Sequence, residues 1–559
     1  MLICKSISLM RYSLYIMVMI LIAGCARRSI PSGGEKDSIP PVLIASNPKL
    51  NTVNFNADEI RLKFDEWVEL QNLDQQLIIS PPLEKRKYEI KPLSGITKKI
   101  FVNFLDSLVE NTTYTFNFGN SIVDNNEGNK MNFFSYTFST GPTLDSLYLK
   151  GSVEDAFNLE TEEYLSVQLY KIDSTYNDSI IYNNQPTYLA NTLDSTSYRF
   201  NNLREGRYIL IALKDVGDDY IFNPLYDKIA YYDSIVLLPR DSIINLKLFK
   251  EETPIIWDRP HFINSEKIGF GYYGKLDLSK ISLISKIPDS VNYLFTKEQD
   301  KDTLHFWLSK NSLDSLEFNL KEIDTIKTLT VKFDRRKDTL IDSLNISNIT
   351  KTVIGLKEKF KLSSNLPLNV VSDSLIFIRD IDSTLIPFKS SINNNLDEIS
   401  LDFDLKPQDE YSIYILPNAI IDLRGGTNDT LGFKALTQSL EDYGNVYLNV
   451  IRDTESEYIL QMINSNSEIV REYNSISSNG IFNFELIKPG KYIFRMIKDD
   501  NGNKKWDTGN YLKKVQPEAV YYSNFELDIR ANWDFNETFN LKEIKIDSTS
   551  INKDSIQSN

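Results

Sequence analysis

Short runs in which apolar and polar residues alternate one by one recur along this chain, separated by Asn, Asp, Ser, Gly and Pro. Ile60-Arg61-Leu62-Lys63-Phe64, Tyr114-Thr115-Phe116-Asn117-Phe118 and Ser135-Tyr136-Thr137-Phe138 all have period two, which sends successive side chains to opposite faces of a strand. The 3.6-residue period of long helices is almost absent. The pattern predicts an all-β protein of antiparallel strands packed as serial β-sandwiches. At 559 residues the chain is too long for a single core. It divides into units of about 100 residues, each large enough to bury a core without staples.

One stretch breaks this pattern. Tyr12 to Gly24 is uncharged and apolar, follows the basic Lys5 and Arg11, and ends in small residues. It falls short of the roughly 20 residues of a bilayer span and has the layout of a secretion signal. Its end, Ile22-Ala23-Gly24-Cys25, resembles the bacterial lipobox. That resemblance implies cleavage before Cys25, diacylglycerol on the Cys25 sulfur and acylation of the new amine. Acyl chains at about 0.8 kcal/mol per buried methylene hold a protein on a membrane without a spanning helix. An uncleaved anchor helix with an incidental Cys is the other reading, and the polar residues directly after Cys25 disfavour it. Residues 1–24 are thus expected to be a signal peptide and 25–39 a lipidated tether.

Cys4 leaves with the signal, so of two cysteines only Cys25 stays and no disulfide forms. Ala26 stands where an Asp commonly marks retention in the inner membrane, which favours the outer membrane. Arg27 and Arg28 suit anionic headgroups and replace the acidic residues common after the Cys of exported Bacteroidetes lipoproteins. The periplasmic face is therefore favoured over the cell surface. The net charge of −15, or −17 without Lys5 and Arg11, argues against nucleic acid and leaves room for divalent cations or basic partners.

Residues 40–142 carry "PPVLIASNP", "IRLKFDEWVEL", "LVENTTYTFNFGNSIVDNNEGN" and "YTFSTG". Together these resemble the bacterial Ig-like domain of the S-layer SbsA type, with Phe64-Asp65-Glu66 as the middle-strand element. The lead-in Pro31 to Pro41 is similar to that of a Bacteroidetes lipoprotein family carrying this domain. "YSIYILPNAIIDLRGG", Tyr411 to Gly426, repeats the strand-then-loop pattern of Tyr114 to Gly128 and aligns Asp422 with Asp124. A second pair of segments, Tyr198 to Asn223 and Phe482 to Asp507, aligns without a gap. Their "L-x-x-G-x-Y" pattern resembles transthyretin-like or carboxypeptidase-regulatory-like sandwiches. The expected order is Ig-like (40–142), transthyretin-like (145–250), Ig-like (253–345), Ig-like (346–440) and transthyretin-like (443–544), with a polar tail at 545–559. Five such units in a row would make an arm of about 100 Å or more.

Candidate chemistry is sparse. Asp499, Asn501, Asn503 and Asp507 place oxygens at alternating positions and at the ninth, a spacing that suits calcium. The loop is similar to the calcium loops of Gram-positive adhesin B-repeats, but Asn503 replaces an acidic ligand and Lys504 a Gly. The distal Glu is missing unless Glu518 supplies it. A metal-free Asx/Gly turn capped by Trp506 fits the same residues. The sister loop offers Asp215, Asp219 and Asn223, with Gly217 in place of the second ligand. Asp124 to Gly128 reads as an acidic strand connection.

His261 and His305 are the only histidines, and each reads as structural. Adjacent strand residues Asp65 and Glu66 should point to opposite faces, which prevents paired-carboxylate chemistry. Tyr231-Tyr232, Tyr272-Tyr273, Trp307 and Tyr521-Tyr522 could stack on sugar, although such residues also build cores. No enzyme is expected. The function expected is a membrane-anchored binding or scaffolding lipoprotein that serves an outer-membrane assembly, secretion or uptake complex through a protein partner in the envelope. A surface adhesin or glycan-binding protein is the alternative.

Overall fold

The computed structural model describes residues 37–542, apart from 175, 241–242, 300, 311–312, 324, 334–341 and 453–455. Cys25, the signal, most of the tether and the polar tail lie outside the described residues. Nearly all regular structure is β, as the alternation predicts. No helix among the described residues is long and apolar enough to cross a membrane.

The chain separates into two compact units, Met1–Asp145 and Ser146–Asn559. In the first unit, Glu59–Leu70 pairs with Leu43–Asn47 and Thr97–Phe104, and Tyr88–Lys91 lies outside the latter. Ile122–Asp124 joins the far end of Glu59–Leu70, beyond a break in register between Lys63 and Val68. A second sheet of Ile78–Ser80, Thr113–Asn117 and Ser135–Ser139 faces it. The alternating residues Ile60, Leu62 and Phe64 meet Phe116 and Phe138 in one core, where Phe116 and Phe138 stack at 6.2 Å.

A tyrosine corner closes this sandwich: the Val109 amide donates to the Tyr114 hydroxyl at 3.1 Å, and Thr140 Oγ1 donates to the Val109 carbonyl at 2.7 Å. The same device recurs at residues 346–440. There Lys406 N donates to the Tyr411 hydroxyl at 2.7 Å, and Thr437 Oγ1 donates to the Lys406 carbonyl.

The second unit holds further sandwiches, each with its own core. The one built from Leu147 to Leu248 and the one built from Val446 to Leu541 share one plan. In the former, Leu147–Asp155 lies between Ser197–Leu203 and, in parallel, Ile244–Leu248. In the latter, Gly444–Ile451 lies between Gly480–Ile487 and, again in parallel, Asp534–Asn540. Both place a buried tyrosine after the turn glycine, and its hydroxyl donates back to a carbonyl four residues earlier: Tyr208 to Arg204 at 2.9 Å, Tyr492 to Lys488 at 2.8 Å.

We number the sandwiches from first to fifth along the chain. Within the second unit the picture of an extended arm needs correction. The fifth sandwich packs on the second, and Tyr511 sits in one apolar cluster with Tyr170, Ile181, Leu213, Phe222 and Tyr231. Alternation predicts a face for each strand but carries no information on which sandwich lies beside which.

Candidate functional site

The two aligned loops leave the same corner of their sandwiches, and backbone amides shape both. Asp499 is 4% exposed. Its Oδ1 accepts from Gly502 N at 2.7 Å and Asn503 N at 3.1 Å, and its Oδ2 from Lys504 N at 2.8 Å. Lys504 takes a positive φ of 63°, so the turn is made at the position where the calcium pattern has Gly. The amide nitrogens of Asn501 and Asn503 both donate to Asp507 Oδ2. Glu518 spans the mouth, accepting from Asp500 N at 2.8 Å and Asp507 N at 3.0 Å. Burial pushes the Glu518 carboxyl up, against the pull of those two amides.

The sister loop repeats the scheme. Asp215 accepts from Asp218 N at 2.8 Å and Tyr220 N at 2.6 Å. Burial raises its carboxyl. Asp219 accepts from Ile221 N at 2.9 Å, and Asn223 Oδ1 from Leu225 N at 3.1 Å. Asp227 takes the part of Glu518, accepting from Val216 N at 2.9 Å and Asn223 N at 2.7 Å. The sequence reading missed Asp227, and the Glu518 it named only as a distal ligand is a clamp on the backbone.

This donor set is engaged within the loop itself. A calcium loop turns six or more oxygens to one point, whereas here the carboxylates face N–H groups and the two Asn side chains offer nitrogen. Among the described residues no group of three or more His, Cys, Asp or Glu side chains is placed to hold a metal. Excess calcium is accordingly expected to leave the melting temperature of the full chain unchanged. Asp499→Ala, which removes the acceptor of three loop amides, should lower stability by about 1–2 kcal/mol with or without the ion. A calcium-dependent rise that Asp499→Ala and Asp507→Ala abolish would overturn this.

What the loops do build is a joint. Val216 and Asp227 are 11 residues apart, but Asp500 and Glu518 are 18 apart, and the extra chain lies between Asp507 and the clamp. It forms a small hairpin in which Asn510 and Val515 exchange backbone bonds of 2.7 and 3.0 Å. Its tip carries Tyr511, fully buried, edge-on to Tyr231 at 5.4 Å and covered by Lys514 Nζ at 3.9 Å. Thr508 Oγ1 donates to the Lys250 carbonyl and Tyr511 N to Glu251 Oε1, both at 2.6 Å. Gln516 Nε2 donates to the Tyr231 carbonyl at 3.0 Å.

Phe157 of the second sandwich is gripped from the other side. Trp506 lies 4.8 Å from its ring, the Arg495 guanidinium stands 4.2 Å above it, and the Tyr522 hydroxyl donates to its carbonyl at 2.6 Å. The run Thr508 to Gln516, present in one of the two aligned loops, was the signal available in the sequence for this contact.

The remaining candidates also serve packing. Tyr231 and Tyr272 are buried, Tyr522 belongs to the joint, and Lys267 Nζ covers the Trp307 ring at 4.3 Å. Tyr273 is exposed and packs edge-on against Tyr226 at 5.8 Å. His305 is buried beside Glu298 at 3.3 Å, and burial brings its imidazole down to about 4. Asp65 accepts from Val42 N at 2.8 Å. Glu66 is instead raised by burial and then by the nearby Asp124.

Asp124 and Asp422, aligned in sequence, occupy one role in two sandwiches. Asp124 accepts from the amides of Asn126, Glu127 and Asn129, and Asp422 from those of Arg424 and Gly426. Residues 37–140 match the family model of the bacterial Ig-like domain. The chain is an Ig-like domain-containing protein.

No curated protein matches it. Among solved structures, it is similar to native Escherichia coli alpha-2-macroglobulin spanning domains MG0-NIE-MG1, at 11% identity over 34% of this chain and 89% of that one, TM-score 0.17. It is also similar to the S-layer protein rSbsC(31-844), at 9% identity over 88% and 67%, TM-score 0.15. A third is SGBP-B of the Bacteroides ovatus mixed-linkage glucan utilization locus, in complex with a mixed-linkage heptasaccharide, at 11% identity over 69% and 94%, TM-score 0.16. At these scores none of the three bears on function.

Proposed function

We propose that this Ig-like domain-containing protein is a non-catalytic, lipid-anchored scaffold of the outer membrane, held by acyl chains on Cys25 and facing the periplasm. In this role it serves an assembly, secretion or uptake complex through a protein partner in the envelope. The observation that supports the reading best is the use made of the polar loops. The carboxylates most suited to chemistry, Asp215, Asp227, Asp499 and Glu518, cap backbone amides of their own loops, and the hairpin from Thr508 to Gln516 beside one of them joins the fifth sandwich to the second. A semi-rigid body of this kind presents surfaces at fixed positions, which is what a scaffold needs.

In cells, Cys25→Ser is expected to move the protein from the membrane pellet to the soluble fraction. Protease added to intact cells should spare the wild-type chain, and cross-linking followed by capture from membranes should recover an outer-membrane β-barrel partner. A wild-type chain that is soluble, or one shaved from intact cells, would sink the anchor or the periplasmic placement respectively. Capture of no envelope protein would sink the scaffold.

A further inference from the structure

Two rows on the outward face of the three-stranded sheet of the fifth sandwich carry no charge, while the adjoining row places Asp534 beside Asn445. Tyr447, on the central strand, lies opposite Asn483 on one neighbour and Asn536 on the other. One step along, Asn449 lies opposite Ile481 and Thr538. Val446, Leu448, Phe484 and Phe539 on the same strands point into the core, so the two-residue period turns these six outward. Ile481, Asn483, Asn536 and Thr538 are exposed, and Tyr447 and Asn449 are half-buried. None of the six is charged, in a chain where 25% of residues are.

The fold does not require this neutrality. On the corresponding sheet of the second sandwich, Lys150 lies opposite Arg199. Arg199 stands 4.9 Å from the Tyr148 ring, and Lys247 bridges to Glu154 at 2.7 Å. Where that face carries Lys150 and Arg199, the fifth sandwich carries Tyr447 and Asn483.

Each Asn amide offers two donors and an acceptor oxygen in one plane, which suits the adjacent hydroxyls of a sugar ring. A tyrosine ring supplies a rigid apolar surface with a polar tip. With neighbouring strands about 4.8 Å apart, the row Asn483–Tyr447–Asn536 spans about 10 Å, close to the length of a disaccharide. A charged ligand would find no counter-charge among these six residues, and an apolar protein surface would bury the amides unpaired, which is unfavourable.

We propose that this face binds an uncharged polysaccharide, with a sugar ring on Tyr447 and its hydroxyls held by Asn449, Asn483 and Asn536. The proposal rests on the reading of the chain as a binding protein and adds a ligand class to it. Its failure would leave the capture of an envelope partner unaffected, and the converse also holds.

The test is electrophoresis of the purified full chain through gels containing β-glucan, mannan, xylan or dextran, with alginate as the charged comparison. At least one uncharged polymer should retard the wild type. Tyr447→Ala, and separately the double variant Asn483→Ala with Asn536→Ala, should weaken that retardation about tenfold or more, as loss of central contacts does. Melting of the double variant should stay at the wild-type value, and Lys150→Ala on the sister face should change nothing. Retardation by none of the four, retardation by alginate alone, or retardation that survives the double variant would overturn the proposal.

Discussion

Tyr511→Ala is expected to part the fifth sandwich from the second while each keeps its own core. The side chain is completely buried, and its neighbours Tyr231, Phe222, Ile181 and Phe249 belong to the second sandwich. Truncation of so large a buried aromatic leaves a cavity and costs about 3–5 kcal/mol. The hydrogen bonds that remain, from Thr508 and Gln516 to carbonyls of the second sandwich, from the amide of residue 511 to Glu251 and from Tyr522 to the Phe157 carbonyl, are each worth only about 1–3 kcal/mol net. Small-angle scattering of the full chain should show a larger radius of gyration for Tyr511→Ala and an unchanged one for Tyr511→Phe, which keeps the ring. An unchanged radius for the alanine variant would mean that the grip on Phe157 suffices by itself.

The second large effect belongs to Gly151, in the strand Leu147–Asp155. A Cβ there would lie 1.7 Å from the Ile244 carbonyl oxygen and 2.7 Å from the Tyr198 hydroxyl. Those two groups are hydrogen-bonded to each other at 2.8 Å, so neither can move without loss. Gly151→Val must push the strands apart or break that buried bond, and a destabilisation of about 3 kcal/mol or more is expected. The chain holds several cores, so one unfolding free energy does not describe it. Thermal melting should instead show a new early transition. Proteolysis at low temperature should cut first within residues 147–248 and spare the first sandwich. Gly432→Ala, in a strand where nothing lies within 4 Å of an added Cβ, is the control. A single unshifted transition for Gly151→Val would show that the sheet opens there more easily than the geometry implies.

Legibility in the sequence followed the range of the forces involved. Period-two alternation is local, and Ile60, Leu62 and Phe64 turned inward as their spacing predicts. The pairing of Asp124 with Asp422 was also readable, because each aspartate binds amides within a few residues of itself. The Asp499 loop shows the limit of such reading. Oxygen-bearing side chains at alternating positions suit calcium and an amide-capped turn equally well, and the direction of each N–H decides between them. The contact of Tyr511 with its socket lay beyond the pattern altogether. It depends on a hairpin that reaches a surface 260 residues earlier, where Glu251 receives its amide, and no periodicity reports on surfaces so far apart. The face around Tyr447 was hidden for another reason. Its six residues come from three strands distant in sequence, and only the register of the sheet brings them into rows.

The same separation has a consequence for how the protein is made. At synthesis rates of about 5–20 residues per second, the 260 residues between Glu251 and Tyr511 take roughly 13–50 s to appear. The second sandwich can fold from its own strands during that interval. Its socket of Tyr170, Phe222, Tyr231 and Phe249 then stands open to solvent until the last sandwich arrives. A chain whose second sandwich folds first would display an apolar hollow that the packed form covers. In that state it would depend on a chaperone or on the speed of its own completion to stay out of aggregates.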